Sequence, residues 1–428
     1  MPFSMPRAGA AALVTLTGLA GAGTALAGNG INVTGIGTDA LAMGSADIAV
    51  PGSSVAVTTN PANLAHIEGS RFDFSAEPFV THGFKHEDSL NETQLSDQPF
   101  GVLMNTSYAR PLWRPDLTFG VGLFVAGGSG AEYKDLATVF GTRDDYSVSF
   151  GVTRLATGLG WKINDRLRVG ATVDVVYSTL RQKLYPDTSV AEAGFFGLRL
   201  DGASGLSYGG RLGLTWQASP TLTVAAIYAP RNKLKLEGGE LDVNYSALGE
   251  GVVRYGEARV KGFALPQEAG IGFGWQATPK WLLATEITWL DWSSALSRSR
   301  LSARDPETPN GNVPQRVDLT QDLNFRDQIV FALGTRYAWS ERTSLMAGIN
   351  LARNPIPNGT VTPVLNSTQE VELDIGIRHA LSERWSVASA LQFQPAKTES
   401  NDNAAQPFTG AREGYGVIGL VLEITRRW

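Results

Sequence analysis

The sequence predicts an all-β fold: a transmembrane antiparallel β-barrel of about 14 strands with an N-terminal hatch, or plug, inside its lumen. Three observations lead there. From Arg71 to Trp428 the chain repeats short segments with one oily and one wet face. Tight turns and longer polar connections alternate between these segments. Ahead of them, Gly28 to Ile67 is rich in small residues, nearly uncharged, and fits no regular element.

Residues 1–27 read as a secretory signal peptide. Arg7 is a sparse positive n-region, Ala8 to Ala20 is apolar but too short to span a bilayer, and Ala25-Leu26-Ala27 is a small-residue cleavage signal. Its removal takes away one Arg and no acid, so the net charge goes from −5 to −6. With 36 basic and 41 acidic residues there is no basic field for nucleic acid. The chain has no Cys, hence neither disulfides nor thiolate chemistry. After residue 27 no apolar run is long enough for a transmembrane helix, so a membrane location demands a closed barrel, the other structure that satisfies every backbone group in lipid. Forty-eight Gly, 39 aromatics and a mean hydropathy of −0.07 suit strands with one wet face.

Residues 28–70 form the expected hatch. An eight-stranded barrel fills with side chains, whereas sixteen strands leave an aqueous channel, so a barrel of about 14 strands needs closing. Asp39 and Asp47 would find polar partners in the lumen, and Ile31, Val33, Ile36, Leu41, Met43, Ile48 and Val50 argue against a solvated tail. Residues 71–428 form the expected barrel. In the segment from Leu167 to Tyr177, Leu167, Val169, Ala171, Val173, Val175 and Tyr177 share one face while Arg168, Gly170, Thr172 and Asp174 share the other. Trp281 and Trp289 lie about 26 Å apart at a strand rise of ~3.3 Å, matching two aromatic girdles around an apolar band.

Tight turns fall at 111–115, 163–166, 217–220, 276–279, 339–342 and 381–384. Longer connections are expected at 82–99, 129–145, 182–204, 237–250, 293–319, 354–367 and 395–413. The last strand, Tyr415 to Trp428, ends on an aromatic, which resembles the assembly signal of outer-membrane barrels. Arg426 stands on its apolar face.

The motifs Gly35-Ile36-Gly37, Ala42-Met43-Gly44, Ser53 and Asn60-Pro61-Ala62 resemble the hatch of the outer-membrane FadL/TodX-type transporters, which take up long-chain fatty acids and aromatic hydrocarbons. The likeness continues through Phe119-Gly120-Val121-Gly122, Gly130, Leu265-Pro266, the run from Thr288 to Ser293, Phe325-Arg326-Asp327 and Asn354-Pro355-Ile356-Pro357, spanning nearly the whole mature chain.

The resemblance implies a passive transporter in the Gram-negative outer membrane, expected as a monomer. It would capture a hydrophobic ligand at the outer loops, pass it to a lumen pocket, and release it sideways through a kink in the third strand once the hatch rearranges. By that likeness Gly35, Gly37, Asn60, Pro61 and Ala62 belong to the gating hatch. The third strand is expected at Leu117 to Val125, and Gly127, Gly128 and Gly130 mark either its kink or an ordinary loop start. Phe195, Phe196, Leu198 and Leu200 form an apolar cluster in an expected loop, either a capture groove or loop packing. Arg181, Lys183, Arg316 and Arg326 are the basic candidates for a ligand carboxylate. One basic position of the family falls on Gln321 here, which leaves room for neutral substrates.

No enzyme is expected. Gly205-Leu206-Ser207-Tyr208-Gly209 matches the G-x-S-x-G nucleophile elbow, but an elbow needs a strand-turn-helix context and these residues enter an alternating strand. His66, His82, His86 and His379 are too scattered for a metal site, and no phosphate-binding loop or other cofactor motif occurs. The rival readings are a polar porin, an adhesin, or an enzyme barrel.

Overall fold

The computed structural model describes residues 29–97, 99–308, 311–365, 369–403, 408 and 410–428. The expected signal peptide lies outside them. Alternation builds the wall. Its strands are β1 (Arg71–Glu87), β2 (Phe100–Pro111), β3 (Leu117–Ala137), β4 (Arg143–Lys162), β5 (Leu167–Val190), β6 (Phe195–Ser219), β7 (Leu222–Ala229), β8 (Glu268–Thr278), β9 (Trp281–Leu290), β10 (Gln328–Ala338), β11 (Thr343–Ala352), β12 (Val371–Ala380), β13 (Trp385–Ser400) and β14 (Arg412–Arg427). Each pairs antiparallel with the next, and β14 closes on β1 from Arg71↔Arg427 to Glu87↔Arg412. The result is a closed barrel of 14 strands, as the alternation predicts.

The oily face points out. Val173, Tyr208, Leu212 and Ile375 are 66 %, 70 %, 58 % and 59 % exposed, while Thr172, Asp174, Ser207 and Arg211 are buried on the inner face. A soluble β-sandwich buries its apolar face, so this exterior needs lipid around it. Arg426 finds its place at the girdle: its guanidinium lies 5.1 Å from the ring centre of Trp385 and 4.6 Å from that of Trp428. Cation–π contact lets a charge sit on this otherwise apolar face.

All six short turns gather at one rim, together with the start of β1 and the end of β14. Two of the seven long connections are corrected. Residues 129–145 and 182–204 are strand almost throughout, joined by short links between Ala137 and Arg143 and between Val190 and Phe195. Their alternation outlasts the membrane because neighbouring strands keep pairing, from Tyr146↔Leu184 onward in β4 and β5. Residues 237–250 are also partly strand. The segments Leu236–Asn244, Val252–Lys261, Arg298–Pro306 and Arg316–Asp322 extend the sheet beyond the outer half of β6. Beneath them lies the largest apolar core, which includes Leu200, Leu236, Leu241, Tyr255 and Trp292.

Candidate functional site: the filled lumen and the wall it touches

Residues 29–67 run inside the barrel as a chain of turns with one short helix at Thr38–Ala42 and two 3-10 turns, Ser54–Val57 and Pro61–His66. Small residues and positive-φ glycines, Gly35 (56°) and Gly37 (84°) among them, let the chain fold back on itself tightly.

Asn60-Pro61-Ala62 makes the closest seat. The Asn60 side chain caps the last turn by accepting from the Ala62 N–H at 3.1 Å, and Pro61 fills the first position of that turn. Its amide donates to the Ile48 carbonyl at 2.7 Å and to Thr215 Oγ1 on β6 at 3.1 Å. Thr215 donates in turn to Asn63 Oδ1 at 2.9 Å. The wall is smooth here because its wet-face positions are glycine. A Cβ on Gly170 would meet Pro61 C at 2.3 Å, and one on Gly213 would meet Asn60 Oδ1 at 2.1 Å. Replacing Gly213 by Val should cost about 1–3 kcal/mol of packing. The expected outcome is a barrel that assembles normally but whose Asn60–Pro61 segment becomes open to limited proteolysis.

Charge holds the other end. Arg378 on β12 donates to Asp39 Oδ1 at 2.7 Å and to Glu423 Oε1 at 2.5 Å, and Glu423 accepts from the Thr38 N–H at 2.9 Å. On β1, Asp73 accepts from the Ser54 N–H at 2.9 Å while Arg71 pairs with it at 2.8 Å. Asp39 therefore meets a charged partner on the wall. Burial drives the Asp39 carboxyl up, but Arg378 and Arg336 beside it prevail and hold it below the usual carboxylate range. Burial pushes Asp47 up, with the Thr59 hydrogen bond and Arg211 only partly opposing it.

The third contact lies at a fault in the wall. Strands β2 and β3 pair only from Pro111↔Thr118 to Thr106↔Leu123. Beyond that, Asn105 Oδ1 accepts from the Val125 N–H at 3.0 Å, and the next backbone bond is Asp97 N–H to the Glu132 carbonyl at 2.8 Å. Between these two links no backbone bond joins the strands among the described residues, which leaves a window in the wall. Toward β4 the register of β3 slips between Val125 and Gly127, a bulge that turns the strand's faces over. The N-terminal segment sits on this bulge. Asn32 bridges to Gly127, and the Gly128 N–H donates to the Ile31 carbonyl at 3.0 Å. A Cβ on Gly127 would lie 2.4 Å from that carbonyl, so the approach requires glycine. The third strand thus does not end at Val125 as expected; Gly127 and Gly128 form the bulge, while Gly130 is regularly paired with Ser149.

Between the segment and the wall lies a cavity of about 130 Å³, with Asp47, Arg154, Arg211, Glu268 and Glu286 among its lining. Ligand pockets run to about 300–1,000 Å³, so this one holds no drug-sized molecule.

The other expected sites move. Arg181, Arg316 and Arg326 are exposed at the surface, and Lys183 pairs with Asp145 at 3.2 Å. None of these four lines the lumen cavity. The lumen instead carries Arg154 and Arg211, which share a wet face with Asp174 and Glu268: Arg211 bonds Glu268 at 2.6 Å, and Arg154 lies 3.6 Å from Asp174. The sequence reading missed these two cations, although alternation could have found them, since each falls on the wet side of its strand. Leu198 and Leu200 are buried, because residues 195–204 are strand and pair with Leu241 and Val243. Only Phe195 and Phe196 stay partly open, against Phe140 at 4.6 Å and Tyr245 at 4.8 Å. Ser207 lies within β6, not at an elbow. His86 is buried between Glu413 (2.6 Å) and Asp88 (3.0 Å). No group of metal-ligating side chains occurs among the described residues.

A sequence model of the outer membrane protein transport protein family (OMPP1/FadL/TodX) matches residues 11–418. No curated protein sequence matches the chain. The barrel is similar to the crystal structure of the Pseudomonas putida toluene transporter TodX, with 22 % identity and a TM-score of 0.76 over 92 % of this chain and 99 % of that one. It is similar to the Ralstonia pickettii toluene transporter TbuX, at 20 % identity and a TM-score of 0.72 over 92 % and 99 %. A Pseudomonas aeruginosa FadL homologue superposes with a TM-score of 0.70 at 16 % identity over 92 % and 98 %.

Proposed function

The chain belongs to the outer membrane protein transport protein (OMPP1/FadL/TodX) family, and on that footing we propose that it admits neutral hydrophobic molecules, monoaromatic hydrocarbons foremost, and releases them sideways through the window between β2 and β3. It is a transport channel of the Gram-negative outer membrane and not an enzyme. Residues 29–67 are its plug.

The observation that carries the reading is the seating of Ile31 and Asn32 on the β3 bulge, where the wall has lost its ladder. Unpaired backbone facing hydrocarbon costs several kcal/mol per group, so such a window persists only if protein covers it. Ile31 also belongs to the apolar core of the outer lumen together with Phe150, and Val33 packs with Val125 on the neighbouring core around Tyr133 and Tyr146. An oily ligand entering past Phe195 and Phe196 meets apolar surface as far as the window, and the same plug segment blocks its exit. The small cavity supports movement of the plug as the step that makes room.

Neutral substrates are preferred because the four basic candidates lie outside the lumen cavity and the inner Arg154 and Arg211 already face carboxylates. A fatty acid would enter its carboxylate charge without a free partner there. Uptake of labelled toluene and of labelled oleate, in cells with and without the protein, tests this. Protein-dependent entry of toluene but not oleate is expected. Entry of oleate alone overturns the substrate class, and equal entry of a polar sugar overturns the plugged channel in favour of a porin.

A further inference from the structure

The wall has a second fault, away from the plug. Strand β7 ends at Ala229, Pro230 follows, and the chain leaves the wall to pair Asn232 and Lys233 with Leu265 and Ala264. Its last pair with β6 is Tyr228↔Leu212, and it returns to β6 only at Glu237↔Ser204. Over Gly205 to Arg211, β6 therefore has no ladder on that side. A groove of about 660 Å³ opens there, lined by Ser207, Tyr208, Arg231, Lys233, Lys235 and Asp291 among others.

Three features say what fits it. The first is height. Tyr208 and Trp216 both point outward from β6 and are 70 % and 47 % exposed. Eight residues of strand separate them by about 26 Å, the spacing of the two membrane interfaces. Trp216 stands near the turn rim, so Tyr208 and the groove lie at the head groups of the outer leaflet. An open strand edge is not tolerated in hydrocarbon but is tolerated against polar matter.

The second is charge. Among the described residues no carboxylate lies within ion-pairing distance of Arg231, Lys233 or Lys235, all exposed. On the adjoining outer sheet Arg254, Arg259, Arg298, Arg300, Arg304 and Arg316 are each paired with an Asp or Glu. Arg231 is held in place by donating to the Ser294 carbonyl at 2.9 Å, which leaves the rest of its guanidinium fork to the groove.

The third is the Ser207 hydroxyl, 5 % exposed on the groove wall and without a hydrogen-bond partner. A buried polar atom left unpaired marks a place that expects a ligand or water.

We propose that this groove binds the phosphorylated head group of an outer-leaflet glycolipid, with Arg231, Lys233 and Lys235 on the phosphate and the Tyr208 ring along the adjoining sugar and acyl region. The G-x-S-x-G serine, which has no catalytic setting, becomes a polar contact at the edge of that site. The proposal stands apart from the transport path, since none of these residues touches the plug or the window.

Native mass spectrometry and thermal unfolding of the delipidated, detergent-solubilised protein test it, with bisphosphorylated lipid A as the probe. Binding and a rise in unfolding temperature are expected for the parent. Each lost cation weakens a lipid phosphate contact about fivefold, so R231Q/K233Q/K235Q should bind roughly a hundredfold more weakly and K233Q/K235Q roughly thirtyfold. The double variant changes only exposed side chains and keeps the test open if the triple variant fails to assemble. Undiminished binding by either variant, or equal binding of a dephosphorylated glycolipid, overturns the proposal. Inorganic pyrophosphate binding as tightly as lipid A would replace it with a free-phosphate site. Displacement of lipid A by oleate would make the groove an entry point for carboxylates and overturn it as well.

Discussion

Oxidising a V33C/A126C pair will stop uptake, and a thiol reductant will restore it. The bridge from Asn32 to Gly127 sets Val33 opposite Ala126, with the Val33 N–H 3.5 Å from the Ala126 carbonyl. Directly opposed antiparallel residues lie about 4.5–5.5 Å apart at Cα, within the 4.4–6.8 Å that a disulfide spans. The native chain has no cysteine, so no other thiol competes. If the Ile31–Val33 segment must leave the window for a ligand to pass, a lock that leaves about 1 % of molecules open reduces protein-dependent toluene uptake about a hundredfold. Each single-cysteine variant should transport normally. Undiminished uptake by the oxidised pair would show that this segment is not the gate, whatever the ligand.

Deleting residues 29–60 should turn a silent protein into one with a large, steady conductance in planar bilayers. The deletion removes the closure without removing the wall's own ion pairs. Arg378 keeps Glu423, Arg71 keeps Asp73 and Arg211 keeps Glu268, all within the barrel. Water can hydrate these pairs once the plug is gone, and they keep the lumen wet beside the wall residues Met346, Phe124 and Ile227 that the deletion uncovers. Assembly, read from heat-dependent gel mobility, should survive. A deletion that folds but stays silent would mean that the apolar core under Leu236–Lys261 closes the barrel alone. The plug would then be a filler and not the barrier.

Much of this was legible in the chain. Period-two alternation is a local property, because each side chain's face follows from its neighbour's. It marked the strands, the outward oily face, the six turns, and Asp174 as an inward residue. Asn60-Pro61-Ala62 was legible, through the family likeness, as part of the plug, while its capped turn was not. Alternation could not say where strands outrun the membrane, so residues 129–145 and 182–204 read as loops and Leu198 and Leu200 as either a capture groove or loop packing. Nor could the glycines be sorted. Gly170, Gly213 and Gly127 owe their place to atoms of residues 31, 60 and 61, more than ninety positions away.

The sequence by itself determined a closed, plugged barrel, since only a complete ring of two-faced strands satisfies both lipid and lumen. Only the tertiary structure decided where that ring is incomplete. The window between β2 and β3 and the groove beside β6 arise where one strand stops pairing with its neighbour while its own alternation continues unbroken or merely slips. Pairing is a relation between distant segments, and nothing in either segment alone records it.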